Sequence, residues 1–161
     1  MRSWLSSEGP DVQRGGFTLI EVLMVMIVLG LLATIAVMKY IDLKNTARTA
    51  ALAGDFRAIT VAVVNYYADY EVWPVETGPG QVPAGLGRYL PGGLSQGFDR
   101  PEYSLDYENL TVDPTALIGV SVVSPDSRLM AKFVQTFATK APFFLNGGKL
   151  TYLIHGPGGG F

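Results

Sequence analysis

The longest apolar run in the chain extends from Phe17 to Met38, and only Thr18, Glu21 and Thr34 within it are polar. A helix rises about 1.5 Å per residue, so a run of this length matches a hydrocarbon core of roughly 30 Å. The pattern therefore predicts a membrane-spanning helix over residues 17–38.

The helical pattern continues beyond the apolar run, because no proline occurs between Phe17 and Trp73. Over residues 39–72, large apolar side chains recur at alternating spacings of three and four, which is typical of an amphipathic helix. Trp73-Pro74 predicts its end, since the residue before a proline is disfavoured in the α conformation. We expect this stripe to face a core rather than a ligand, together with Tyr67 and Trp73. The stripe consists of Phe56, Ile59, Val63, Tyr66 and Tyr70.

Residues 73–161 predict a globular head that begins with a long irregular connection over residues 74–101, rich in proline and glycine. Connections of this length are usually functional or mobile. A tail of the same composition, residues 156–160, predicts a flexible end.

Short alternating segments in the head predict a small antiparallel sheet and one further helix. The strands are expected at Tyr103–Glu108, Ile118–Val122, Phe143–Leu145 and Leu150–Ile154, the last two joined by a turn at Asn146-Gly147-Gly148. Ser124-Pro125-Asp126 is typical of a helix start with Ser124 as N-cap. The helix should present Leu129, Met130, Phe133, Val134 and Phe137 on one face.

Glu21 places a carboxylate near one end of the membrane run. A carboxylate at the bilayer centre costs roughly 2.5–3.5 kcal/mol, and the cost falls towards the interface. The run contains no basic residue. We therefore expect Glu21 to pair with a positive charge from another molecule.

The hexapeptide Gly16-Phe17-Thr18-Leu19-Ile20-Glu21, followed by a long apolar helix, resembles the processing site of type IV pilins and type II secretion pseudopilins. The resemblance implies that a prepilin peptidase cuts between Gly16 and Phe17 and that Phe17 is then N-methylated. Residues 1–16 would be a discarded leader. Glu21 would pair with the N-terminal amine of a neighbouring subunit during assembly.

The resemblance also implies a pilin-like α+β fold, in which the long helix packs on a small antiparallel sheet. The protein would be a non-enzymatic filament subunit with a single pass through the bacterial inner membrane and an extracytoplasmic head. Its implied partners are the prepilin peptidase, identical or homologous subunits contacted through the N-terminal helix, the inner-membrane assembly platform and lipid.

Within this family we favour a type II secretion system pseudopilin, and two alternatives stay open. One is a subunit of a type IV pilus or a DNA-uptake pilus, which shares the same motif. The other is a single-pass membrane protein whose small extracytoplasmic domain binds a ligand. An ordinary anchor or a cleaved secretory signal fits less well, since a signal has an apolar region of only about 7–15 residues.

Composition offers little support for other chemistry. The net charge is −2 without a basic block, so nothing favours nucleic acid, and the lack of cysteine excludes disulfides and thiolate metal sites. His155 is the only histidine, and no motif places a nucleophile beside it. No catalytic residue, metal site or cofactor is predicted. An acidic stretch is interpreted as a solvated face rather than a calcium site: Asp99, Glu102, Asp106, Glu108 and Asp113.

Overall fold

A computed structural model describes residues 16–111, 115–138, 142–156 and 159–160. Its longest element is helix α1, Leu19–Tyr70. The chain divides into two compact units, with a boundary between Ile41 and Asp42, so that α1 contributes to both. Each unit is described by itself.

The first unit consists, in its described part, of residues 16–41 with the N-terminal part of α1. Its side chains are exposed throughout, including large apolar ones such as Leu29 and Ile35. The helix is long enough and apolar enough here to cross a membrane. An exposed apolar surface of this extent requires an apolar environment such as lipid or other helices.

The second unit contains a five-stranded antiparallel sheet. Its strands are β1 (Ser104–Asn109), β2 (Ile118–Val123), β3 (Phe143–Asn146), β4 (Lys149–Gly156) and β5 (Gly159–Gly160). The order is β1-β2-β4-β3, and β5 also pairs with β4. Between β3 and β4, Gly147 and Gly148 take positive φ values of 56° and 85°, as a two-residue hairpin turn requires. The predicted hairpin is confirmed.

The core of the second unit lies between one face of this sheet, the C-terminal part of α1 and the short helix α2 (Ser127–Phe133). Ile59 of α1, Val120 of β2 and Leu129 of α2 are almost completely buried. A long helix on an antiparallel sheet with an additional short helix is the α+β pilin-like fold that the sequence predicts.

The connection over residues 74–101 contributes several large side chains to the core, contrary to the expectation of a mobile loop. It contains a single 3₁₀ turn, Leu86–Tyr89. Backbone hydrogen bonds tie Gly80 to Leu105 in β1 and Phe98 to Gly80, at 2.9 and 2.8 Å. The expectation gave weight to proline and glycine and overlooked a set of large side chains that recur every four residues and are buried: Leu86, Leu90, Leu94 and Phe98.

The amphipathic half of α1 is only partly buried along the predicted stripe. Phe56, Ile59 and Val63 are buried, whereas Tyr70 remains 44% exposed. The helix ends at Tyr70, three residues before Trp73, because Glu71 takes a left-handed φ of 57°. The assignment of the whole stripe to the core is therefore wrong at its C-terminal end.

The start of α2 also differs from the sequence prediction. Asp126, not Ser124, is the N-cap, and its carboxylate accepts hydrogen bonds from the backbone N–H groups of Arg128 and Leu129. The Ser124 hydroxyl accepts from the Asp126 N–H and donates to the Glu102 carbonyl, so it holds the preceding turn. Both residue types cap well, and the local geometry selects between them.

The end of the head helix keeps the predicted contact of Phe137 with the core but is not α-helical, and part of the tail forms a strand. The apolar face beyond Phe133 continues through a π-helical turn, Val134–Ala138, in which Phe137 packs against the core. The tail was expected to be flexible, but Gly159 and Gly160 pair with Gly156 and His155 of β4. These two glycines therefore add the short strand β5 to the sheet.

Candidate functional site

The candidate site is the N-terminal end of α1, where a reciprocal capping box connects Thr18 and Glu21. The Glu21 Oε2 atom accepts hydrogen bonds from the Thr18 backbone N–H and from its hydroxyl, both at 2.9 Å. The Glu21 N–H in turn donates to the Thr18 hydroxyl oxygen at 3.3 Å. This arrangement satisfies two backbone donors that the helix itself leaves unpaired.

Sequence reasoning assigned Glu21 a partner on another molecule and missed the partner inside its own segment. The signal was present, since Thr-x-x-Glu before an apolar run is the usual capping-box pattern. The carboxylate also lies at the N-terminal end of the helix, where acidic side chains are stabilising.

The capping box leaves half of the carboxylate available. Both hydrogen bonds from Thr18 go to Oε2, and among the described residues no hydrogen bond reaches Oε1. A carboxylate accepts several hydrogen bonds at once. Glu21 can therefore cap its own helix and still receive a cation such as an amine.

Gly16 and Phe17 precede the helix and are exposed. The Phe17 side chain is 87% exposed, and a Cβ atom added to Gly16 would meet nothing within 4 Å. Nothing among the described residues therefore covers the peptide bond between them. Cleavage at this bond and methylation of Phe17 stay predictions.

A family model described as the prokaryotic N-terminal methylation motif matches residues 13–37, which include the capping box and the first part of the apolar helix. A second family model, described as PilW, C-terminal, matches residues 44–92. Both matches support a type IV pilin or pseudopilin family for this chain, a family of structural subunits.

The chain is also similar to a curated protein. The chain is 36% identical over 62 residues to the type II secretion system core protein G of Pseudomonas aeruginosa. The matched stretch covers 38% of this chain and 44% of that relative, so less than half of the relative's length is spanned. A comparison with solved structures gives no significant match.

The aromatic group at the end of α1 lies partly at the surface of this pilin-like head. The Tyr67 ring stacks on Trp73 with ring centroids 4.1 Å apart, and Trp73 in turn contacts the His155 ring at 5.1 Å. Tyr66 and Trp73 pack against the core, but Tyr67 is exposed. His155 is thus a member of an aromatic stack at the end of β4.

The acidic residues between Asp99 and Asp113 do not form one cluster, because those that the structure describes contact different partners. Glu102 pairs with Arg48, and Asp99 accepts a hydrogen bond from the Ser104 hydroxyl at 2.5 Å. Asp106 and Glu108 both contact the Lys149 ammonium. Asp113 lies outside the described residues. Within the described ranges, no group of three or more potential ligands is placed to hold a metal ion.

The interpretation of Asp106 as part of a solvated strand face is wrong. The residue is only 5% exposed, beside the buried Ser121 and Thr151 on the sheet face opposite the core. Burial raises the pKa of the Asp106 carboxyl despite the hydrogen bond from Lys149. For Glu108, burial also acts to raise the pKa, but hydrogen bonds from Lys149 and Ser121 outweigh it and lower that pKa.

Removing the cation of this cluster should destabilise the head. In Lys149→Met, two nearly buried carboxylates lose their counter-charge, and we expect a loss of about 2–4 kcal/mol, less than for a fully buried pair because Lys149 is itself one-third exposed. Without the cation both carboxylates should have raised pKa values in the folded state. The folded variant then binds more protons than its unfolded chain. The loss of unfolding free energy relative to the wild type should therefore shrink as the pH falls.

Thermal unfolding of the full chain in detergent at pH 8 and pH 5 tests this expectation. Lys132→Met is the matched control, because its ion pair with Asp42 is exposed and should contribute at most about 1 kcal/mol. The expectation would be contradicted if the two variants lost equal stability, or if Lys149→Met lost more stability at pH 5 than at pH 8.

Proposed function

We propose that this protein is a pseudopilin of a type II secretion system that is processed by a prepilin peptidase and polymerises through its N-terminal helix. Two findings together support the proposal: the methylation motif at residues 13–37 and the similarity to a type II secretion core protein. The peptidase would cut between Gly16 and Phe17, and the new N-terminus at Phe17 would be methylated. Residues 1–16 would be lost as a leader.

Assembly then depends on two features of the first unit. The exposed apolar surface of residues 19–41 exchanges lipid contacts for contacts with the helices of other subunits. The Glu21 carboxylate, with Oε1 available, receives the Phe17 amine of a neighbouring subunit and thereby sets the register between helices. An inner-membrane assembly platform would extract the subunits, and the heads would lie on the extracytoplasmic side.

The processed N-terminus gives a direct test of the proposal. Mass spectrometry of the mature protein should find N-methylated phenylalanine 17 as the first residue. Gly16→Leu should block cleavage, because a bulky side chain before the scissile bond would obstruct the peptidase, and the uncut precursor should accumulate in the membrane. Gly30→Leu is the matched control, since a Cβ there also meets nothing within 4 Å and lies far from the cut.

A mature protein that starts at another residue, or normal maturation of Gly16→Leu, would contradict the assigned cut. An uncut chain in wild-type cells would favour a ligand-binding membrane protein instead. Deletion of the gene separates the two filament types. It should abolish protein secretion for a pseudopilin, whereas loss of surface pili or of DNA uptake would assign the protein to those machines.

A further inference from the structure

A groove with an aromatic floor lies on the second unit, between α1, α2 and the β3–β4 hairpin. Its volume is about 500 Å³. The Phe56 ring lies 5.4 Å from the Phe133 ring and 6.3 Å from the Phe143 ring, measured between centroids. We name this surface the aromatic groove, and its main lining residues are Phe56, Arg57, Val61, Phe133, Phe137 and Phe143.

Arg57 is the charged residue of the described lining, and it has no acidic partner among the described residues. This distinguishes it from three other basic residues of the second unit. Arg48 and Arg100 pair with Glu102 and Asp55, and Lys149 pairs with two carboxylates. An apolar groove with a free guanidinium beside it fits an occupant that is apolar and carries a carboxylate.

The chain presents such an occupant at another place on the second unit, residues 71–76, which we name the Glu71 turn. Val72 and Val75 are 57% and 77% exposed, and the Glu71 carboxylate has no partner among the described residues. Glu71 also holds a left-handed φ of 57°, a conformation that glycine adopts without strain and glutamate does not. Strain of this kind at an exposed residue is a reason to look for a function of its side chain.

We propose that the aromatic groove of one subunit receives the Glu71 turn of a second copy of this chain, with Val75 on the aromatic floor and Glu71 paired with Arg57. The proposal rests on the filament function above and adds a specific contact between heads. The two surfaces cannot contact each other within one chain, because Tyr70 lies thirteen positions after Arg57 in α1, about 20 Å along the helix. Two different complementary surfaces on one subunit make a heterologous contact, which is the kind that generates open filaments.

Disulfide formation in the full chain tests the contact directly, since the natural sequence has no cysteine. In filaments of the double variant Val61→Cys/Val75→Cys, mild oxidation should produce a ladder of dimers, trimers and larger species. Each single variant is a matched control and should stay monomeric. Filaments that contain both single variants should give dimers and nothing larger, because each copy then carries one cysteine.

Charge reversal tests the ion pair. Arg57→Glu and Glu71→Arg should each reduce the yield of sheared filaments about tenfold, as for a desolvated charge pair at an interface, and the double variant should restore most of the yield. Arg128→Glu is the control, since Arg128 is exposed outside the groove. Glu71→Gly should also reduce the yield while it leaves the protease resistance of the unassembled protein unchanged or higher, because it removes the left-handed strain.

Three results would overturn the proposal. If the wild type forms filaments but the double cysteine variant gives no ladder on oxidation, this contact is excluded and the filament function stays intact. A loss in Arg57→Glu that Glu71→Arg does not restore would assign the groove to another occupant, such as the carboxylate of a fatty acid. Wild-type cells that form no filament would contradict the proposed function itself, and the contact with it.

Discussion

A fragment of residues 42–161 is expected to unfold in one cooperative transition, whereas a fragment of residues 73–161 is expected to be unfolded or aggregated. The difference is the part of α1 that belongs to the second unit. Four of its large side chains are buried in the core: Leu52, Phe56, Ile59 and Val63. At roughly 1.5–3 kcal/mol for each buried side chain, they contribute on the order of 6–12 kcal/mol before partial burial in the unfolded chain is subtracted.

This contribution is comparable to the net stability of a whole domain, about 5–15 kcal/mol. Ion pairs between α1 and the head, Arg48 with Glu102 and Arg100 with Asp55, would be lost as well. Circular dichroism during thermal unfolding of both fragments measures the effect.

Two controls show whether the buried side chains of α1 cause the difference between the two fragments. A fragment of residues 48–161 keeps these buried side chains and both ion pairs, and it should melt cooperatively at a temperature close to that of residues 42–161. The double substitution Ile59→Ala/Val63→Ala in the longer fragment should destabilise it by several kcal/mol, since each truncation leaves a cavity. If the fragment of residues 73–161 melts cooperatively at a similar temperature, α1 is a tether and not part of the head.

Filament assembly is expected to fail in Glu21→Val, although membrane insertion and processing should continue. If Glu21 receives the amine of a neighbouring subunit in an apolar environment, removal of the carboxylate leaves that amine unpaired, at a cost of roughly 3–5 kcal/mol. About 1.4 kcal/mol corresponds to a factor of ten, so each contact should weaken by about 100-fold or more. The measurement is the yield of sheared filaments, with the amount of mature subunit in the membrane as reference.

The capping box offers a matched control that separates charge from helix capping. Glutamine at the same position can still reach back to the Thr18 N–H, so Glu21→Gln retains the cap and loses the charge. Thr18→Val removes the hydroxyl and weakens the cap but keeps the charge. We expect Glu21→Gln to resemble Glu21→Val and Thr18→Val to retain much of the assembly. Normal filaments from Glu21→Gln would show that capping, not charge, is the function of Glu21.

Much of this architecture could be predicted because it depends on local pattern. The long helix, β1, β2 and the β3–β4 hairpin follow from apolar periodicity and turn residues. Two of the errors lie where two local signals compete. In residues 74–101 the prolines and glycines predict a loop, whereas the leucines predict burial. Before α2, Ser124 and Asp126 are both good N-cap residues, and only the structure selects Asp126.

The burial of Asp106 could not be predicted from its own strand. Alternation places it correctly on the face opposite Leu105 and Tyr107, but alternation does not say whether that face is covered. Lys149 reaches it from β4, which is separated from β1 by β2 in the sheet. A partner more than forty residues away is brought close only by strand order.

The sequence by itself determined the apolar helix, the methylation motif and the position of Glu21 near the start of the helix. These are properties of consecutive residues, and helix geometry converts their spacing directly into structure. Only the tertiary structure decided which faces of α1 and of the sheet are covered, which acids meet a cation, and where the aromatic groove and the Glu71 turn lie. Burial and ion pairing depend on contacts between distant segments, and spacing along one segment carries no information about them.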